Sequence, residues 1–142
     1  GEDGQFHRPV MVHRGVIGTL VRMIAYLIEK YGGAFPLWLA PVQVAVLPIT
    51  DRINEYAGNI VRELRATGLR VESNLRSEKI GAKIRDAQMQ KVPFMLVLGD
   101  REMEQNVVAV RERAKGDIGA MSLTEFKEMA RRLTDSRALT NN

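Results

Sequence analysis

One apolar run constrains the fold of this chain more than any other feature. Residues 92–99 read VPFMLVLG and contain no charged or polar side chain. A fully apolar run of this length is typical of a strand that is buried on both faces of a sheet. The run therefore predicts a central strand with other elements packed over both of its sides.

The segments around this run alternate between strand and helix patterns. From residue 42 to residue 133 the order is β-α-β-α-β-β-α, which predicts an α/β sandwich with a mostly parallel sheet. Helix starts are predicted at Asp51, at Ser77 and at Ser122, where Glu125 completes a capping box. The predicted elements are strands at residues 42–49, 69–75, 92–99 and 106–113, helices at residues 51–68, 77–91 and 122–133, and a loop at residues 114–121.

The first part of the chain predicts a separate unit. Residues 9–13 read as a short strand, and the apolar spacing from Val16 to Tyr31 predicts a helix that ends at the glycine pair 32–33. Pro36 and Pro41 bracket an apolar connection at residues 34–43. We place a domain boundary in this connection, because it separates two periodic regions.

One face of the predicted first helix carries glycine beside arginine. Glycine in a helix interior costs about 1 kcal/mol, so this face suggests that a ligand approaches the backbone and that Arg22 binds its phosphate. A helix packed tightly on a sheet, with Arg22 in a salt bridge, also explains the pattern. The residues on this face, spaced at about 100° per residue, are Gly15, Gly18, Thr19, Arg22, Tyr26 and Glu29.

Other catalytic signals are sparse. His13 ends the predicted first strand and could bind a metal, although a hydrogen-bonded structural histidine is the simpler interpretation. The chain has no cysteine, which excludes disulfides and cysteine ligands within it. It contains no nucleophile paired with a base, no Walker loop and no dinucleotide fingerprint. By itself, the chain is not predicted to be a complete enzyme.

Charge and polar strand ends point to a polyanion. The formal net charge is +4, and residues 70–91 hold six basic against three acidic residues, which predicts either an RNA-binding surface or a solvated helix face. Polar residues after the predicted strands could read base edges in single-stranded RNA, or form an ordinary rim of ion pairs. These residues are Asn74, Arg76, Asp100, Glu102, Arg111 and Arg113.

Four stretches resemble the threonyl-tRNA synthetase family of class II. GEDGQFHRPVMVHRGVIGTLVR is similar to the end of its catalytic domain, and FPLWLAPVQVAVLPI is similar to the join that follows. LRSEKIGAKIRDAQMQKVPFMLVLGDRE and VVAVRER resemble its anticodon-binding domain. The resemblance implies a catalytic strand and helix at residues 1–35 and an anticodon-binding domain at residues 36–142. It also implies a mostly parallel, mixed sheet of about five strands flanked by helices.

The resemblance also implies roles for individual residues. Arg22, with Thr19 nearby, would bind ATP phosphate and stabilise the adenylation transition state, and His13 would be one of three zinc ligands, the other two lying upstream. Glu102 and Arg111 would read anticodon bases, with Lys79, Arg85 and Ser77 as weaker candidates. Family positions differ at Gly15, Ser77 and Val21, where the family usually has alanine, asparagine and glutamate.

For a full-length parent, the resemblance implies a cytoplasmic homodimer, formed through the catalytic domain, that uses L-threonine, ATP with Mg²⁺, and Zn²⁺ to charge threonine tRNA. This segment alone is expected to be inactive and to carry no cofactor or membrane anchor. The alternative is a non-catalytic paralogue that acts as an RNA-binding or interaction module, and Val21 is its support.

Overall fold

The computed structural model describes residues 1–137 of the chain, so residues 138–142 of the predicted second domain lie outside the described range. The elements are α1 (Leu20–Tyr31), β1 (Val44–Pro48), a 3₁₀ turn (Asp51–Ile53), α2 (Asn54–Ala66), β2 (Val71–Ser73), α3 (Ile80–Met89), β3 (Phe94–Leu98), α4 (Asp100–Gln105), β4 (Val107–Glu112), β5 (Gly116–Ser122) and α5 (Leu123–Asp135). None of the helices in residues 1–137 is long and apolar enough to cross a membrane.

The strands form one mixed sheet in the order β2-β1-β3-β4-β5, which confirms the predicted α/β fold. β1 is parallel to β2 and β3, whereas β4 is antiparallel to both β3 and β5. The sheet is therefore mixed, but the prediction that it is mostly parallel was wrong. Only residues 99–106 separate β3 from β4, and a parallel return needs a crossover of about a dozen residues or more.

The run at residues 92–99 forms the centre of the molecule, as predicted. β3 lies between β1 and β4, and Phe94, Leu96 and Leu98 are at most 1% exposed. On this face α2 and α5 cover the sheet, and the Phe94 ring meets the Phe126 ring edge-to-face with centroids 5.7 Å apart. This packing places the polar ends of the strands around a fixed apolar centre.

The opposite face of the sheet is covered unevenly. α3 packs its Ala87 against β1 and β3, in a second cluster that contains Ala45, Leu47 and Met95. β4 alternates between buried and half-buried residues, and its half-buried side chains lie on the face that α3 shares. Ala120, on β5, is exposed. The β4 and β5 half of this face is therefore open, and we call it the open face.

Several local predictions need correction. Residues 9–13 form no strand, and their side chains are exposed; a strand needs a paired neighbour, and residues 1–137 provide none there. α1 begins at Leu20 and not near Val16, because Gly18 has a left-handed backbone with φ of 74°. The division into domains at residues 1–35 and 36–142 stays a prediction.

Two further segments differ from the sequence patterns. Residues 114–121 were predicted as a loop, yet most of them form β5, where pairing with β4 outweighs the low strand preference of glycine. The short helix α4 was not predicted. Pairing with a neighbouring strand cannot be read from the pattern of one segment alone, which explains the missed strand.

The predicted glycine end of α1 is confirmed, with Gly32 in a left-handed conformation at φ of 55°, but of the predicted N-terminal caps only that of α5 is found. The Ser122 hydroxyl accepts the Glu125 N–H at 3.2 Å, and the Glu125 carboxylate accepts the Ser122 N–H at 2.8 Å, which confirms the capping box. Asp51 instead lies in the 3₁₀ turn and makes no cap, and α3 begins three residues after Ser77.

Candidate nucleic-acid interface

The three parallel strands end at one edge of the sheet, which we call the carboxyl edge and define as residues 49–52, 74–79 and 99–102. Its polar side chains are linked across the chain. Arg52 donates to Asp100 at 2.8 Å, and the Ser77 hydroxyl donates to Asp51 at 3.4 Å. Asp51 and Arg52 were missed as edge residues in the sequence, although they follow β1 just as Asp100 follows β3. The edge is thus held by contacts between residues that are distant in sequence.

Glu102 is held in place by its own helix. Its Oε2 atom accepts the Gly99 N–H at 2.8 Å, and its Oε1 atom makes no hydrogen bond within residues 1–137. A Cβ added to Gly99 would lie 2.7 Å from Glu102 Oε2 and 3.0 Å from Ile49 Cδ1, so a larger residue at position 99 would require this carboxylate to shift. The free oxygen can accept hydrogen bonds from base N–H groups.

The charge of Glu102 also reaches a neighbouring phenol. Burial raises the pKa of Tyr56, and the negative charges of Glu63 and Glu102 raise it further. The Tyr56 hydroxyl donates to Asn106 Oδ1 at 3.5 Å. Tyr56 therefore stays protonated at neutral pH and borders the Glu102 site as a hydrogen-bond donor.

Arg111 lies on the open face. It is paired with Met95 of β3, and its side chain is 30% exposed and 3.7 Å from the Asp117 carboxylate. Its Nε atom is buried and has no hydrogen-bond partner within residues 1–137. The exposed part of this planar guanidinium, which makes only a weak ion pair, is suited to bind guanine acceptors or phosphate.

The structure does not bring Glu102 and Arg111 into contact. Arg111 lies opposite Met95, whereas Glu102 binds Gly99. Four residues of extended chain separate these two positions, or about 13 Å.

The predicted basic surface at residues 70–91 is smaller than its charge suggested. Arg70 donates to the backbone carbonyls of Trp38 and Ala40, Lys83 is 2% exposed and donates to Pro48, and Lys91 donates to Gly32. Arg76 is paired with Glu78 at 3.5 Å.

Two cations of that set remain exposed without a side-chain hydrogen bond or ion pair in the described part of the chain. They are Lys79, at the start of α3, and Arg85, on its outer side. The carboxyl edge itself carries four basic and four acidic residues. Arg101, within the edge, is a third exposed cation without such a partner in residues 1–137, so attraction to phosphate near this edge depends mainly on Lys79, Arg85 and Arg101.

Arg113 does not line the carboxyl edge, which corrects the prediction. Because β4 is antiparallel to β3, the end of β4 lies beside the beginning of β3, where the Arg113 N–H donates to Pro93 at 2.9 Å. The Arg113 side chain instead donates to backbone carbonyls of residues 34, 35 and 91. Burial lowers the pKa of the Arg113 guanidinium, and the neighbouring Glu112 charge opposes this shift.

The first part of the chain presents its predicted site residues to solvent. Thr19 caps α1 by accepting the Arg22 N–H at 3.4 Å, and the Arg22 side chain is exposed. His13 is exposed, with its Nε2 atom 3.1 Å from Met11 Sδ. Within residues 1–137 no three His, Cys, Asp or Glu side chains come together to hold a metal. The residues present therefore do not form a zinc site by themselves.

The sheet order and the polar groups at its carboxyl edge and open face define an RNA-binding α/β domain. Residues 43–133 match the family described as anticodon binding domain. The chain belongs to this family. The match spans the whole sheet and ends within α5.

The similar proteins are more specific. The chain is 63% identical over 126 residues to the threonine--tRNA ligase of Desulforamulus reducens, with 89% of this chain and 20% of the relative covered. It is 54% identical over 142 residues to that of Clostridium tetani, covering all of this chain and 22% of the relative. The chain thus spans about a fifth of the length of the curated relatives it matches.

A solved structure has the same fold. The RNA binding domain of threonyl-tRNA synthetase from Cryptosporidium parvum Iowa II superposes with a TM-score of 0.79 and 31% identity, over 83% of this chain and 30% of that chain. The resemblance to the threonyl-tRNA synthetase family and its anticodon-binding domain is confirmed.

Proposed function

We propose that this chain is the anticodon-binding part of a threonine--tRNA ligase and binds the anticodon arm of threonine tRNA. The observation that carries the proposal is the family match over residues 43–133, which includes both Glu102 and Arg111. The free Oε1 of Glu102 accepts from base N–H groups, and the guanidinium of Arg111 donates to base acceptors.

The exposed cations have a supporting role in this proposal. Lys79 and Arg85 contact phosphates on the α3 side of the open face, which positions the RNA without reading its sequence. Ser77, placed at the carboxyl edge by its bond to Asp51, adds a hydroxyl that can donate or accept. Base discrimination then depends on Glu102 and Arg111, which are about 13 Å apart along β3.

We propose further that the longer parent activates L-threonine with ATP and Mg²⁺ and transfers it to the tRNA. Arg22 is suited to bind ATP phosphate there, because its guanidinium is exposed and makes no hydrogen bond within residues 1–137. Thr19 orders the helix end that carries it. His13 would need zinc ligands from outside these residues. A cytoplasmic homodimer and inactivity of this segment alone complete the proposal.

The alternative of a non-catalytic paralogue is not favoured by the relatives. Those compared above at 63% and 54% identity are both named threonine--tRNA ligase. Val21 is exposed on α1, and nothing in the structure explains why it replaces glutamate. Threonine-dependent pyrophosphate exchange by the full-length protein, with and without Arg22→Ala, separates the alternatives, since a paralogue would show no exchange in either form.

Anticodon reading is tested with the chain as it stands. Arg111→Ala should weaken binding of a hairpin with the threonine anticodon by about 1–3 kcal/mol and reduce discrimination against a hairpin with a swapped base. Arg132→Ala is the matched control, because Arg132 is exposed on α5, on the other face of the sheet. Equal binding of both hairpins by the unaltered chain would contradict the proposed function.

A further inference from the structure

The connection between α1 and the sheet is held by an unusual set of contacts. Lys91 Nζ donates to the Gly32 carbonyl at the end of α1. The Arg113 guanidinium donates to the Ala34 and Phe35 carbonyls, each at 3.1 Å, and to the Lys91 carbonyl at 2.6 Å. Two cations thus bind the backbone of one short connection, and the second of them also binds the first. We call this set the linker clamp.

The backbone of Lys91 indicates that its side chain is needed. Its φ is 57°, a left-handed conformation at the end of α3 where glycine or asparagine is the usual residue. A side chain in this conformation is strained, and such strain persists where surrounding contacts require it. The Lys91 side chain lies against Gly33, with Cδ 3.6 Å from the position of an added Cβ, and reaches Gly32. Glycine at residue 91 would relieve the strain but lose the contact.

The clamp and the proposed base-reading arginine share one strand end. Arg111 and Arg113 are two residues apart, so their side chains lie on the same face of the sheet. Arg111 points to the open face, and Arg113 holds the connection that leads to α1. A shift of this strand end would therefore move the anticodon surface and the end of α1 together.

The rest of the connection is fixed in the same manner. Gln43 Nε2 donates to the Leu37 carbonyl at 2.8 Å, and Arg70 donates to Ala40 at 2.9 Å and to Trp38 at 3.0 Å. Leu37 itself is 1% exposed. The connection is therefore a rigid spacer that is fixed by the buried Leu37, and the linker clamp determines the orientation of α1 relative to it.

We propose that Arg113 and Lys91 are positioning residues for tRNA charging, which hold the anticodon surface at a fixed angle to the part of the ligase that ends with α1. The proposal rests on the proposed function. Neither residue needs to contact RNA. They keep a tRNA that is bound at its anticodon in the orientation that brings its amino-acid-accepting end to the catalytic part of the ligase.

The test compares three measurements on the full-length ligase and on this chain. Arg113→Ala should lower the rate of tRNA charging by about 10- to 100-fold, as expected for a small misplacement distant from the chemistry. The loss should fall on kcat more than on KM for tRNA. Threonine-dependent pyrophosphate exchange, which needs no tRNA, and hairpin binding by this chain should both stay within about twofold of the unaltered protein.

Lys91→Gly distinguishes positioning from stability. It should raise the melting temperature of this chain, because the left-handed strain is removed, and yet slow charging by the ligase. Arg132→Ala removes one exposed charge from α5 and should change none of the measurements. Charging at the unaltered rate in both clamp variants would overturn the proposal, as would an equal loss of hairpin binding in Arg113→Ala. Failure of the proposed function would instead be seen in the unaltered chain, as a lack of anticodon preference.

Discussion

Replacing Gly99 with alanine tests the Glu102 site without touching any charge. The backbone of Gly99 has φ of −115° and ψ of −174°, which alanine adopts without strain. The added Cβ would nevertheless lie 2.7 Å from Glu102 Oε2 and 3.0 Å from Ile49 Cδ1. The first separation is shorter than real Cβ contacts, so the end of the Glu102 side chain must shift, which weakens its 2.8 Å bond to the Gly99 N–H and at the limit removes it.

The expected losses of stability and of binding follow from two contacts of the Glu102 carboxylate, one with the start of α4 and one, as proposed, with a base. Loss of the cap on α4 should cost about 0.5–2 kcal/mol of folding free energy, which is a fall of about 2–8 °C in melting temperature for a chain of this size. Loss of the carboxylate contact with a base should cost about 1–3 kcal/mol of binding. That energy corresponds to a weakening of hairpin affinity by roughly 5- to 150-fold.

The assay is thermal unfolding together with hairpin binding, for Gly99→Ala, Glu102→Ala and Glu102→Gln. Glu102→Gln should retain the cap but lose the base contact, because an amide oxygen can still accept the Gly99 N–H. The matched control is Gly58→Ala on α2, where an added Cβ meets nothing within 4 Å. That control should gain about 0.5–1 kcal/mol of stability and bind RNA normally. If Gly99→Ala binds the hairpin normally while Glu102→Ala does not, the conformation in which the Glu102 carboxylate bonds to the Gly99 N–H is not the conformation that binds RNA.

Three further results are expected. With Lys79, Arg85 and Arg101 as the free cations near the carboxyl edge, the slope of log affinity against log salt for the hairpin should be about −2.1, and a slope several times steeper would show that other cations bind phosphate. The bonds from the backbone N–H and the hydroxyl of Ser122 hold the pKa of Glu125 below its ordinary value of 4.5, so they stabilise the fold above that pH and are lost as the pH falls through the lowered value. The melting temperature should therefore fall less on acidification in Glu125→Gln than in the unaltered chain. Parallel curves of melting temperature against pH for the two proteins would contradict this linkage. Phe126→Ala should cost about 3–5 kcal/mol in urea unfolding, because a fully buried ring is replaced by a cavity, and a loss below about 1 kcal/mol would mean that the core collapses around the gap.

The sequence predicted those parts of the fold that depend on the environment of single segments. The apolar run at residues 92–99 indicated the central strand, the serine–glutamate spacing indicated the cap of α5, and the spacing of apolar residues indicated the buried side of α2. Each pattern reports the burial or local bonding of consecutive residues, which is why these predictions were confirmed. Glu102 and Arg111 were identified through resemblance, and their roles as base-reading residues stay predictions.

Errors arose where distant residues decide the outcome. The direction of β4 depends on the short connection after β3, and the pairing of β5 depends on β4. The count of basic residues between 70 and 91 was correct, but half of them donate to backbone carbonyls of the chain itself. A charge in a sequence does not reveal whether its partner is water, a phosphate or a backbone carbonyl.

By itself, the sequence determined that this chain forms an α/β domain, because alternation and apolar runs reflect which residues avoid water, and its resemblance to a known family indicated the anticodon-binding kind. Only the tertiary structure decided what individual polar groups do. Lys91 meets Gly32 across 59 residues of sequence, and Arg113 meets Ala34 across 79. Such contacts exist only after the sheet has formed, because its packing brings the end of β4 beside the connection to α1.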